Sequence, residues 1–285
     1  DDEEIHALRS EVKRLKKTLS ELTPALEALL KRRGFRIYKK EPSEDLVLPA
    51  KRFLDDFYEM LKKYSFRLFI RDVIKHQEYF TKEQVTRYAT SGVTDAYIDF
   101  LRSVKVVEPA GDGFRLIKRP VKSFGETLEW FLCEIFRREF AAEAAWGVKF
   151  KRPRVGGDYD VIAKIDGSIL YMEVKSSPPK QIYNSEIAAF LDRTFDLSPE
   201  IAVFFMDTEL RMKDKIVPMF EEELKNRFSR GSAGEMQSPP QVMRVEKELF
   251  QIWGKTFIIN SKDSIAGNIE KVLSWHFRTS RKERA

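Results

Sequence analysis

Ile5, Leu8, Val12, Leu15, Leu19 and Leu22 recur in steps of three and four, an apolar seam flanked by Lys and Arg. Pro24 ends it before three heptads are complete. Thr23 can cap a second helix with Pro24 in its first turn, and Gly34 stops that helix. So short a seam fits a dimerisation arm and equally an amphipathic helix packed on its own chain. A short strand at 35–38 and a polar linker through Glu41, Pro42, Ser43, Glu44 and Asp45 follow.

The next stretch, 51–118, has helical spacing three times over. One or two helices run from Lys51 to His76, and a short one starts at Thr81, whose hydroxyl can cap it with Glu83 and Gln84 behind. A third carries Thr94, Tyr97, Phe100, Leu101 and Val104. Val106, Val107 and Glu108, the turn residues Gly111, Asp112 and Gly113, and then Phe114, Arg115 and Leu116 predict a hairpin. This order resembles a winged helix, which implies that the last helix enters the DNA major groove. The exposed face of that helix carries Asp95 and Asp99 beside Arg102, and acids face phosphates poorly. A scaffold or dimerisation role therefore stands beside DNA binding.

Beyond residue 120 the pattern alternates. A helix at 125–140 precedes strands at 144–151, 159–165 and 168–175. A helix at 185–195, a strand at 200–207 and a helix at 210–228 lead to a polar, Pro- and Gly-bearing loop at 231–241. A strand at 250–259 and a helix at 264–277 close the chain. The expected fold class is α/β: a mixed sheet flanked by helices (121–285), preceded by an α-rich, winged-helix-like region (51–120) and N-terminal amphipathic helices with a linker (1–50).

Composition narrows the classes. The 285 residues suffice for about two domains with their own cores. Apolar residues are 42% and charged residues 34%, and apolar runs such as 201–206 are far too short to cross a bilayer. The opening Asp1-Asp2-Glu3-Glu4 lacks the basic-then-apolar pattern of a signal peptide. The single Cys133 can form neither an internal disulfide nor a thiolate zinc site, so a buried thiol in a cytoplasmic protein is expected. A net charge of +6 and a pI near 9.1 suit a polyanionic partner.

The chemistry concentrates between Gly156 and Lys175. Asp166-Gly167 between two apolar runs signals a two-residue hairpin loop. Ile165 then pairs with Ser168, Asp160 faces Glu173, and Asp158 faces Lys175. Directly opposed side chains share a face with Cβ atoms about 5 Å apart, while Val161, Met172 and Val174 turn to the other face. Two like charges so placed repel, and burial makes them worse. A divalent cation between them reverses the sign; hard oxygen ligands suit Mg²⁺ or Mn²⁺. Ahead of this segment Lys149, Lys151, Arg152 and Arg154 form a basic loop suited to backbone phosphates.

Residues 125–208 resemble the catalytic core of the PD-(D/E)XK nuclease superfamily: a helix, three strands, a helix and a strand, with an acid in the second strand and Glu-x-Lys in the third. Asp160 matches the first acid, and Glu173 and Lys175 match the second motif. Tyr159 stands where many members have a proline. Many members also carry a Glu on the first helix. Of Glu126, Glu129 and Glu134, Glu129 lies on the edge of the stripe made by Leu128, Phe131, Leu132, Ile135 and Phe136. Its spacing from Gly125 also resembles the opening of archaeal Holliday-junction resolvases.

The resemblance implies that Asp160, Glu173 and the Val174 carbonyl hold Mg²⁺ or Mn²⁺, with Glu129 acting directly or through water and Asp158 assisting the metal or tuning Lys175. Lys175 would orient or deprotonate the attacking water, or stabilise charge in the transition state. It implies a metal-dependent endonuclease, with DNA as the expected substrate in restriction, repair or recombination, acting as a homodimer. The alternative is a winged-helix DNA-binding regulator whose nuclease-like core is a scaffold.

Overall fold

The Asp166-Gly167 loop shapes the centre of the sheet. In the computed structural model, which describes residues 23–151, 154–229 and 238–282 and positions 4, 7, 8, 10–12, 14, 15 and 18, both residues are left-handed, at φ 48° and 82°. Two successive positive φ angles match the right-handed twist of the flanking strands. They join β5 (Tyr159–Ile165) to β6 (Ser168–Lys175), paired from Ile165–Ser168 to Val161–Met172. Over these pairs the register follows the sequence expectation, and the ladder ends before the expected Asp160–Glu173 and Asp158–Lys175 pairs.

Eight strands form one sheet in the order β1-β4-β5-β6-β7-β10-β9-β8. The others are β1 (Ile37–Lys39), β4 (Glu143–Phe150), β7 (Ile201–Met206), β8 (Met243–Glu246), β9 (Leu249–Ile252) and β10 (Thr256–Asn260). β6, β7 and β10 run parallel and the remaining pairs are antiparallel, so the sheet is mixed. β6 and β7 are buried along almost their whole length, as parallel strands covered on both faces must be.

Ahead of the sheet come α1 (Leu26–Arg32), α2 (Leu54–Leu61), α3 (Tyr64–Lys75), α4 (Lys82–Val85), α5 (Ser91–Ser103) and a separate hairpin of β2 (Val107–Ala110) and β3 (Gly113–Leu116). Among the sheet strands lie α6 (Gly125–Glu139), α7 (Asn184–Leu197) and α8 (Ile216–Ser229), and α9 (Ile265–Lys282) follows them. The α6 stripe of Leu128, Phe131, Leu132 and Phe136 packs with Val161 and Met172, in a core shared by α9 and by the aromatics Phe57, Phe66 and Tyr97 of the N-terminal helices. The opposite face holds Ile162, Tyr171 and Phe204 against Phe190 of α7 and Phe220 of α8. Each fully buried side chain of this size contributes about 1.5–3 kcal/mol. Cys133 is buried and unpaired by any disulfide.

Several boundaries differ from the sequence expectation. The strand at 250–259 is two strands, because Trp253 and Gly254 both adopt positive φ and reverse the chain between β9 and β10. β8 was not expected at all. The helix placed at 210–228 begins at Ile216. Residues 51–75 break at Lys62-Lys63 into two helices after a short 3-10 turn. The acids of α5 are neutralised locally: Asp95 pairs with Lys82 at 2.5 Å and Asp99 with Arg102 at 3.2 Å. Of the N-terminal seam, Leu8, Val12 and Leu15 are helical and exposed, and Ile5, Leu19 and Leu22 lie outside the described residues. Among the described residues no helix is long and apolar enough to cross a membrane.

Candidate active site

The β5–β6 ladder stops one pair short of Asp160 and Glu173. At that point the Asp160 carboxylate takes over: its Oδ2 accepts the Val174 N–H at 2.7 Å. The β4–β5 ladder skips the same place, with Trp146–Val161 and Val148–Tyr159 paired on either side of Gly147 and Asp160. Trp146 belongs to one core and Val148 to the other, so β4 switches faces at Gly147. Gly147 has φ 54°, and a Cβ there would sit 2.4 Å from Pro42 Cδ and 3.8 Å from Glu129 Oε2. Only glycine satisfies both the angle and the space. This kink lets the Glu129 carboxylate approach the strand backbone.

Glu173 is 2% exposed. Arg193 Nη2 donates to its two oxygens at 2.7 and 2.8 Å, and Lys175 Nζ lies 3.0 Å from Oε1. The Tyr171 hydroxyl also donates to Glu173, and itself accepts from Arg193 Nε at 2.8 Å. Lys175 reaches Glu186 Oε1 at 3.1 Å, while Glu186 Oε2 accepts the Tyr183 N–H at 3.0 Å and so caps α7. Glu186, Phe190 and Arg193 are four and three residues apart and share one face of α7. That face carries the counter-charges of β6.

The acids nearest one another are poorly balanced. Burial and then the charge of Glu173 push the Asp160 carboxyl up to about 8, against the pull of the Val174 amide, Lys175 and Arg193. Burial, followed by Asp160, Glu126 and Glu173, holds Glu129 well above the usual carboxylate range. Lys175 also sits above its ordinary value: burial pulls it down, but Glu173 and Asp160 outweigh that. It is therefore a cation at neutral pH, suited to donating hydrogen bonds and stabilising negative charge rather than to taking a proton.

Lys175 thus contacts Glu173, and Glu129 and Asp160 lie close enough to these groups to feel their charge. The other helix acids are engaged elsewhere: Glu126, whose charge also acts on Glu129, accepts the Asp45 N–H at 2.9 Å, and Glu134 pairs with Arg137 and Arg138. Asp158 does not face Lys175. It precedes β5 and pairs with Lys149 at 3.0 Å, the neighbour that the β4–β5 register supplies. Lys149 is accordingly half-spent on that carboxylate, Lys151 and Arg154 are exposed, and Arg152 lies outside the described residues.

A divalent cation fits part of this donor set. Among the described residues no three acidic, histidine or cysteine side chains converge as a ready metal site. Glu173 is already neutralised by Arg193 and Lys175, whereas Asp160, raised by Glu173, and Glu129, raised by Asp160, form no ion pair among the described residues. A cation beside those two would offset the charge of Asp160 that raises Glu129 and the charge of Glu173 that raises Asp160.

Arg193, Glu186, Tyr171 and Gly147 escaped the sequence reading. Arg193 could have been suspected, because it interrupts an apolar stripe between Phe190 and Leu197, and an arginine is rarely buried without a partner.

The sequence matches no protein-family model and none of the curated proteins. Among solved structures the chain is similar to Can2 from Sulfobacillus thermosulfidooxidans in complex with cyclic tetra-adenylate, at 15% identity and a TM-score of 0.47, over 88% of this chain and 60% of that one. It is also similar to the protein VC1899 from Vibrio cholerae, at 13% identity and a TM-score of 0.47, over 89% of this chain and 62% of that one. The chain thus spans less than two thirds of either protein. At this TM-score and identity the likeness assigns no activity.

Proposed function

We propose that this chain is a metal-dependent nuclease of the PD-(D/E)XK type that hydrolyses phosphodiester bonds, with DNA as the expected substrate. The observation that carries the reading is the clustering of charge where β5 and β6 part: Lys175 contacts Glu173, and Asp160 and Glu129 are both raised by neighbouring acids and form no ion pair among the described residues. The order α6, β4, β5, β6, α7, β7 supports it, and the helices and hairpin of 54–116 support a winged-helix-like unit ahead of it.

Asp160 and Glu129 would hold Mg²⁺ or Mn²⁺, with Glu173 and the Val174 carbonyl adjoining. A bound cation would supply a water of lowered pKa and Lewis-acid stabilisation of developing charge. Lys175, cationic and fixed by Glu173 and Glu186, would orient the attacking water and stabilise charge on the phosphoryl oxygens. Arg193 would position Glu173 without touching substrate. Duplex cleavage with one site per chain calls for two chains, and Leu8, Val12 and Leu15 belong to a seam available for that.

A DNA-binding regulator with a silent core is the second reading, favoured by the saturation of Glu173 by Arg193 and Lys175. Cleavage of single-stranded, duplex and branched DNA and of RNA, with Mg²⁺ or Mn²⁺, separates the two. The nuclease reading expects metal-dependent products from the parent and none from Asp160→Asn. Binding without any cleavage would leave the regulator.

A further inference from the structure

We infer that the junction between α3 and the start of α6 forms a second phosphate-binding site, beside the acidic cluster and built in part from the N-terminal helices. It rests on the nuclease reading only in supposing that a nucleic-acid strand passes nearby. A cavity of about 370 Å³ opens here, lined by Arg71 and Lys75 of α3, Lys122, Ser123 and Phe124 ahead of α6, and Ser176, the residue after Lys175. Among the described residues no acidic side chain lines it.

The charge balance points to an anion. Asp207, at the end of β7, is fully buried and meets two guanidinium groups, Arg67 at 2.8 Å and Arg71. Burial pushes its carboxyl up, yet the two arginines outweigh that and hold it below its ordinary value. One carboxylate faces two guanidiniums here, and Asp72, raised by burial, is the further acid on which Arg71 and Lys75 act. Arg67 spends its donors inside the fold, on Asp207 and on the carbonyls of Leu61 and Lys62. Arg71 lies over the Phe124 ring, and its Nε is buried with no hydrogen-bond partner. The arginine with an unmet donor among the described residues is thus the one that lines the cavity.

Lys75 and Lys122 are exposed at its mouth, and neither is ion-paired among the described residues. Two lysines, a guanidinium already fixed by Asp207 and two hydroxyls suit the oxygens of a phosphate group. Ser176 adjoins Lys175, so a backbone phosphate held here would lie on a strand that also crosses the acidic cluster. Free pyrophosphate or a nucleotide offers the same chemistry.

The test uses the full chain in EDTA, so that no cleavage intervenes. Arg71 is left intact, because its loss would also unbalance Asp207. Fluorescence anisotropy with a labelled duplex compares the parent with Lys75→Gln/Lys122→Gln, whose exposed positions spare the fold. The double variant is expected to bind on the order of tenfold more weakly, and the slope of log affinity against log salt to shrink by about 2. In a parallel arm, pyrophosphate is added in a thermal melt. A pyrophosphate-induced rise in Tm that disappears in the double variant, with duplex binding unchanged, supports the site and assigns it to a free ligand. If neither duplex binding nor the pyrophosphate response differs between parent and variant, the inference is wrong, even where Asp160→Asn abolishes cleavage and the nuclease reading stands.

Discussion

Arg193 closes on Glu173 with a single nitrogen shared between the two carboxylate oxygens, Nη2 to Oε1 at 2.7 Å and to Oε2 at 2.8 Å. The pair lies in the core beneath α7, and Lys175 supplies only part of the remaining balance from 3.0 Å. Removing the arginine leaves a buried anion short of a partner. Arg193→Met is expected to cost about 3–5 kcal/mol in urea denaturation. Combining it with Glu173→Gln should recover a large part of that loss, since both charges are then gone. Equal loss in the single and double variants would show that packing, not charge, holds this site.

Asp207 and Arg67 bind the N-terminal helices to the sheet in a comparable way. Both are almost fully buried, and Arg67 grips Asp207 through Nε and Nη2. Asp207→Asn keeps the shape and removes the charge, leaving Arg67 and Arg71 uncompensated. A loss of about 3–5 kcal/mol is expected, again by urea denaturation. Because the folded carboxyl is held below its ordinary value, its contribution is complete above the unfolded pKa and fades as pH falls through the folded one. The parent and the variant should therefore converge in stability toward low pH.

Much of the site was legible because it depends on local rules. Asp166-Gly167 sets the hairpin register, and alternation then puts Val161 and Met172 in one core and Ile162 and Tyr171 in the other. Helical spacing alone distinguished Glu129 from Glu126 and Glu134. What escaped depends on departures from those rules. The Gly147 kink passes Val148 to the opposite core, and the β4–β5 register sets Asp158 beside Lys149, with which it pairs. Trp253 at φ 55° turns a chain where few sequences place a tryptophan, hiding the β9–β10 reversal. Arg67 and Asp207 are 140 residues apart, and no local pattern joins them.

The raised acids predict an inverted pH dependence. Burial and the charge of Glu173 push the folded Asp160 carboxyl up to about 8, against about 3.9 when unfolded, so in that window the folded state keeps a proton that the unfolded state has lost. Stability then falls as pH rises through that window, by about 1.4 kcal/mol per unit for this group. Thermal melts in EDTA should show the parent losing stability relative to Asp160→Asn between pH 5 and 7. At pH 8, Mn²⁺ should raise the parent's Tm and leave the variant's unchanged. A pH-independent difference between the two proteins would mean that Asp160 is not strained.

Lys175→Ala separates holding a metal from using it. The lysine stands 3.0 Å from Glu173 and 3.1 Å from Glu186, and its cation opposes any second cation placed at Asp160 and Glu129. Its removal leaves Arg193 to neutralise Glu173, so the fold should survive, as a circular dichroism melt would register. Mn²⁺ affinity measured by calorimetry should match or exceed that of the parent. Cleavage should nonetheless fall by about 10²–10⁴-fold, the usual cost of a positioned charge-stabilising group. Lys175→Arg keeps the charge but not the reach, and should recover only part of the rate. Asp160→Asn is expected to lose both metal binding and cleavage. Undiminished cleavage by Lys175→Ala would remove this lysine from the chemistry, and weaker Mn²⁺ binding in the same variant would mean that its role is to hold the acids in place.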